Sequence, residues 1–206
     1  MIIIGRKSRN TDQALIKAGI ELIAQGNYDP TVRAICTLAN VNQGMFVYYF
    51  GFKEEYMKVL FQKIYEDYLS KLQDYPEKDA KAAIQLQQIF YRMTKYFIEN
   101  FNTANFLTEA LYHSKAASYF TNYRVQHFIF TLIEQAQREG DICSDMNSYE
   151  IYTTLQSILI QPIIIKNNIL QQHKNEPLMD KLKLIDVSSE SSLQKRLRVA
   201  FKGLRP

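Results

Sequence analysis

From Thr11 to Phe201 the apolar residues return every three or four positions, and no segment sustains a strict alternation of apolar and polar residues. Spacing of three to four draws a stripe down one side of a helix, while a half-covered strand needs a period of two. The chain therefore offers helices and gives a sheet nothing to build with. Turn chemistry agrees: 7 Gly and 5 Pro in 206 residues are too few for the many tight turns of a sheet protein. The expected fold class is all-α. With 47% hydrophobic residues, among them 12 Phe and 14 Tyr, the chain can bury a real core, which excludes intrinsic disorder.

Breakers divide this pattern into helices. Thr11 is placed to cap a first helix that ends at Gln25-Gly26, where glycine suits a left-handed closing residue. Thr31 caps a second, which turns Val32, Ile35 and Ala39 inward, and Asn42 a third that runs to about Tyr48. A fourth opens near Lys53, carries Tyr56, Val59, Leu60, Ile64, Tyr68 and Leu72 at helical spacing, and stops at Pro76. Further helices are expected at about 80–101, 104–114, 118–139, 148–171, 177–186 and 190–203. The expected division is a small N-terminal domain, 1–53 with a basic arm at 1–10, followed by a helical bundle, 54–206.

Several function classes fall away. The most apolar stretch, Ser157 to Leu170, is interrupted by Gln161, Pro162, Lys166 and two Asn, well short of the roughly 20 apolar residues of a membrane span. The first seven residues put apolar side chains before charges, the reverse of a secretory signal. Cys36 and Cys143 make neither a metal spacing nor a disulfide framework. A soluble cytoplasmic protein is the expectation. No Ser/His/Asp or Cys/His constellation and no Gly-rich phosphate loop is visible, and His113, His127 and His173 stand far apart. An enzyme, a metal site and a cofactor are therefore not expected.

Residues 31–50 carry the chemistry. Two short helices joined by a turn at Asn40-Val41 make a helix-turn-helix, whose second helix would lie in a DNA major groove. Asn40 is the best non-glycine residue for the left-handed conformation such a turn requires. Cys36 and Ala39 are small enough for a close helix crossing. Val41, Phe46 and Phe50 point into a small core, which leaves Gln43, Met45, Val47 and Tyr48 facing outward. A plain helical hairpin satisfies the same pattern. Charge is uneven: up to Lys53 there are six basic residues (Arg6, Lys7, Arg9, Lys17, Arg33, Lys53) against three acidic ones. Arg6, Lys7 and Arg9 suit either a minor-groove arm or an ordinary chain terminus.

The run from Thr31 to Tyr56 resembles the N-terminal signature of the TetR family of bacterial transcriptional regulators. Thr31, Ile35, Ala39, Val41, Gly44, Tyr49, Phe50, Lys53 and Glu54 stand where that signature has a capping Thr, the core Ile and Ala, the turn Val and Gly, and the closing aromatic-Phe-x-x-Lys-Glu. The resemblance covers about a quarter of the chain. Cys36 stands for a small Ala, Asn40 for Gly and Asn42 for a capping Ser, all physically conservative. Val47 departs further: the family's Tyr there often donates its hydroxyl to a phosphate, and valine cannot. What the resemblance implies is a DNA surface of Thr31, Arg33, Asn42, Gln43, Gly44, Met45, Val47, Tyr48, Tyr49 and Lys53. Lys53 would contact a phosphate, as would the hydroxyl of Thr31 at its helix N-terminus. Gln43 suits an adenine edge and Met45 a thymine methyl.

Twelve of the 26 aromatic residues lie between Phe90 and Phe130. Aromatics at helical spacing are commonly plain core. The resembled family, however, holds its effector in this region, which implies a pocket for a hydrophobic or aromatic small molecule. Its expected wall is Tyr96, Phe97, Phe101, Phe106, Tyr112, His113, Tyr119, Phe120, Tyr123, His127 and Phe128. The helix expected at 148–171 carries more apolar surface than one stripe needs, and Leu193, Leu197 and Phe201 line the last helix. In the family these two elements pair as a four-helix bundle. The implied homodimer surface is Ile151, Leu155, Ile158, Leu159, Ile163, Leu193, Leu197 and Phe201, and two recognition helices would then demand a palindromic operator. The expected function is a ligand-responsive repressor. The alternative is an all-α ligand-binding or adaptor protein whose helix-turn-helix no longer binds DNA.

Overall fold

The computed structural model describes residues 10–73, 77, 79–112, 124–172 and 177–206. Among these the regular elements are eleven helices: α1 Thr11–Ala24, α2 Val32–Ala39, α3 Gln43–Phe50, α4 Lys53–Gln73, α5 Ala82–Glu99, α6 Phe101–Tyr112, α7 Arg124–Arg138, α8 Ser148–Leu159, α9 Gln161–Gln172, α10 Pro177–Leu184 and α11 Glu190–Gly203. The chain divides into two compact units, one of residues 10–67 and 102–112, the other of 68–101, 124–172 and 177–206. Two differences from the expected division at 53/54 follow. The first unit keeps most of α4, and it takes in α6.

In the first unit α1, α2 and α3 close around Tyr56 of α4. Its ring is fully buried, 5.0 Å from the ring of Phe46 and 4.9 Å from that of Phe50, and its Oη donates to the Leu15 carbonyl at 2.8 Å. Burial pushes the Tyr56 hydroxyl well above the usual phenol range. The contact needs a glycine opposite. A Cβ on Gly19 would sit 2.0 Å from that Oη. Leu15, Ile23, Ile35 and Leu60 complete a dry core. The α1–α2 loop is tied to α6: Tyr28 Oη donates to Asn102 Oδ1 at 3.1 Å, and Asn102 Nδ2 donates to the Ala24 carbonyl at 2.8 Å. Phe106 of α6 packs against Tyr28 and Phe61 at ring separations of 6.3 and 6.2 Å. These contacts are why α6 belongs here.

In the second unit α5 packs on α7, α8 and α11, and α8 also touches α7, α9 and α11. Leu86, Ile89, Phe90, Ile129, Ile133, Ile151, Leu155 and Leu193 fill the interior, and Tyr152 stands between Phe90 and Phe130. Asn147 and Glu150 form a reciprocal capping box that starts α8.

Four expectations change. Thr11 is not the cap of α1. Asn10 holds that position, without a side-chain hydrogen bond. The helix expected at 148–171 is two, α8 and α9, broken at Ile160, because Pro162 has no N–H to donate back and its ring clashes with the preceding turn. The helix expected at 104–114 begins at Phe101. Finally, the proposed dimer stripe is core of the single chain: Ile151, Leu155, Leu159, Ile163, Leu193 and Leu197 are buried, and Ile158 and Phe201 alone are half-exposed. The apolar surplus of 148–170 is used to hold α8 and α9 against α7, α10 and α11. Residues 118–123, in the helix expected at 118–139, lie outside the described residues, as do residues 113–114 and Pro76.

Candidate nucleic-acid interface

The helix-turn-helix is built by three local devices. Thr31 caps α2, its hydroxyl accepting from Ala34 N at 3.1 Å, and Asn42 caps α3, its side chain accepting from Met45 N at 2.9 Å. Between them Asn40 is left-handed, with φ 53° and ψ 46°. Its N–H reaches the Thr37 carbonyl and that of Val41 the Cys36 carbonyl, which closes α2 as a Schellman turn. A left-handed asparagine thus does what glycine usually does.

This turn sets which face of α3 is presented. Phe46 is buried against Tyr56, while Val41 and Phe50 are only half-buried. Gln43, Gly44, Val47 and Tyr48 are exposed, and Met45 and Tyr49 are half-exposed. Val47 is 59% and Tyr48 63% exposed, and Phe52 just beyond the helix is 75% exposed. Tyr48 and Tyr49, which follow Val47, meet edge to face at 5.2 Å between ring centroids. Thr31, Arg33 and Asn42 are solvent-facing on the same unit. The structure therefore brings the expected DNA-facing set together on one motif.

Lys53 is engaged. Its Nζ lies 2.6 Å from Asp29 Oδ1, and the carboxylate side chain is 85% exposed. Sequence reasoning missed Asp29, although an acid two residues before the α2 cap was the available signal. It placed Tyr56 on the stripe of the fourth helix but missed Gly19 opposite it. The basic arm residues Arg6, Lys7 and Arg9 lie outside the described residues.

The expected effector wall is not one described cavity. Tyr96 and Phe97 are buried in the second unit, and the ring of Tyr96 lies tilted against that of Tyr68 at 4.9 Å with Lys71 Nζ over its ring. Phe106 is buried in the first unit, Phe101 is half-buried, His127 is exposed and Phe128 is 46% exposed. The side chain of Tyr112, and His113, Tyr119, Phe120 and Tyr123, lie outside the described residues. Among those described, no group of three or more His, Cys, Asp or Glu could hold a metal ion, and no helix is long and apolar enough to cross a membrane.

Among the described residues, then, a helix-turn-helix with both helices capped presents one face of its second helix to solvent. Residues 15–58 match the family described as bacterial regulatory proteins, tetR family. No curated protein sequence matches. Among solved structures, the ketosteroid transcriptional regulator KstR2 of Mycobacterium tuberculosis is similar at TM-score 0.63 and 15% identity, over 98% of this chain and 97% of that one. A TetR-like transcriptional regulator from Rhodococcus sp. RHA1 is similar at 0.60 and 14%, over 96% and 98%. Salmonella enterica GusR is similar at 0.60 and 13%, over 96% and 98%. At these identities the likeness is one of fold.

Proposed function

We propose that this chain is a repressor that binds a palindromic operator as a homodimer and is released by a hydrophobic small molecule. The observation that carries the DNA-binding part is the solvent face of α3. A short helix capped by Asn42 turns Gln43, Met45, Val47 and Tyr48 outward, with two large apolar residues more than half exposed. A DNA groove would cover them, Val47 against sugar or thymine methyl and Gln43 on a base edge. Tyr48 and Tyr49 would supply the phosphate hydroxyl that Val47 lacks. Lys53 would add a phosphate contact after parting from Asp29.

Release by a ligand would run through α4 and α6. α4 is one helix that carries Lys53 in its first turn and Tyr68 and Lys71 near its end. A hydrophobic effector fits the aromatic content of 90–130, and the name of one similar structure points to a ketosteroid. Coupling of about 1–3 kcal/mol between effector and DNA is typical of such switches. A second reading, a helical ligand-binding or adaptor protein that has lost DNA affinity, draws on Val47 and on the paired state of Lys53. A mobility shift with the DNA upstream of the chain's own gene decides between them. Binding that weakens with salt and exceeds binding to random duplex supports the regulator. Equal, weak binding to both overturns it.

A further inference from the structure

We infer that a surface cleft in the second unit, between the start of α5 and the end of α11, binds an organic phosphate with an apolar body. The cleft has a volume of about 530 Å³, within the range of small-molecule sites. Ala83, Ile84 and Phe201 give it an apolar lining, with Ile84 47% exposed. Around them stand Arg198, Lys202 and Arg205, whose side chains make no hydrogen bond or ion pair among the described residues. The one acid in the cleft, Asp141, is already taken, both its carboxylate oxygens lying 3.2 Å from Lys81 Nζ. Three uncompensated cations beside exposed apolar surface call for a polyanionic head on an apolar body. A phosphate monoester has three terminal oxygens for them, where a carboxylate has two.

The cleft is held in shape before any ligand arrives. Lys81 bridges α5 to the turn after α7, Ala82 N donates to Glu139 at 3.2 Å, and Cys143 N donates to the Leu204 carbonyl at 2.7 Å. Such preorganisation lowers the cost of binding. Phe201, expected from the sequence on a dimer surface, lines this cleft instead, while Leu193, Leu197 and Ala200 of the same helix are buried in the core.

The test uses the full chain and 1-naphthyl phosphate, followed by calorimetry, with 1-naphthol, 1-naphthoate and inorganic phosphate as comparison probes. A ligand of this size should bind with Kd of about 0.5 mM. The double variant Arg198→Ala/Lys202→Ala should weaken it about tenfold, without a change in melting temperature, since both side chains lie in solvent. Inorganic phosphate and 1-naphthoate should each bind about tenfold more weakly than 1-naphthyl phosphate, and 1-naphthol should be indifferent to the double substitution. Equal binding of 1-naphthyl phosphate to wild type and variant would place the probe elsewhere and overturn the assignment. So would inorganic phosphate binding as well as the ester, 1-naphthoate matching it, or no heat at concentrations about tenfold above that Kd.

Discussion

Asp29 and Lys53 face each other at 2.6 Å, and this pair makes Asp29 a competitor for the phosphate that Lys53 is proposed to hold. The Asp29 carboxylate is largely in water, so solvent screens the pair and its strength is modest. Asp29→Asn should raise affinity for any duplex by about two- to fivefold, read by mobility shift at fixed salt. Lys53→Ala should weaken binding to all sequences alike and lower the salt slope by about 1, whereas Gln43→Ala should cost about 1–3 kcal/mol on the preferred operator only. An unchanged salt slope for Lys53→Ala would remove Lys53 from the phosphate contacts. Gly19→Ala tests the core beneath. The new Cβ would overlap the Tyr56 hydroxyl at 2.0 Å, and the chain should lose about 1–3 kcal/mol in urea unfolding. The left-handed Asn40 and the caps Thr31 and Asn42 were legible in the sequence because each is a local device of four or five residues. Asp29 against Lys53, and Gly19 against Tyr56, join positions 24 and 37 residues apart, which periodicity does not record.

At the scale of elements, spacing located helices well and their ends less well. The first two helices were readable because each carries its own stop, Gly26 at φ 88° and Asn40 at φ 53°, while Gly51 at φ 68° ends the third two residues beyond the expected Tyr48. The break at Ile160 was not drawn from the sequence although Pro162 was noted there, since helical spacing of the apolar residues resumes on both sides of it. The dimer stripe was misread for a related reason. Helical spacing shows that a face is apolar without showing whether the same chain or another covers it. The placement of α6 with the first unit was equally invisible, because it rests on Tyr28, Asn102 and Asn105, polar residues that carry no period. Asn105 is 2% exposed, and its Nδ2 donates to Glu109 at 3.0 Å and to Tyr28 Oη at 3.4 Å. Tyr28→Phe should therefore cost about 1 kcal/mol in urea unfolding and leave the slope with denaturant unchanged. No loss of stability would mean that α6 is held by Phe106 alone.

For the whole molecule the open matter is what a second copy would touch. The buried state of Leu193 and Leu197 turns two classes of substitution apart. Leu197→Glu puts a charge into the chain's own core, where it has no partner, and should unfold the protein rather than give a folded monomer. Val199 is 63% exposed on α11, and Ile165 is 54% exposed on α9. Exposed β-branched residues on helices of the unit proposed to dimerise are where a partner would gain most from covering them. Val199→Glu should accordingly leave the melting curve of the single chain intact while shifting light scattering from dimer to monomer at micromolar concentration. Operator affinity should fall with it, because a monomer presents one recognition helix to a two-half-site operator. A wild-type chain that scatters as a monomer would end the dimer proposal. A Val199→Glu chain that remains a dimer would move the interface off this flank of α11 and leave the palindromic operator standing.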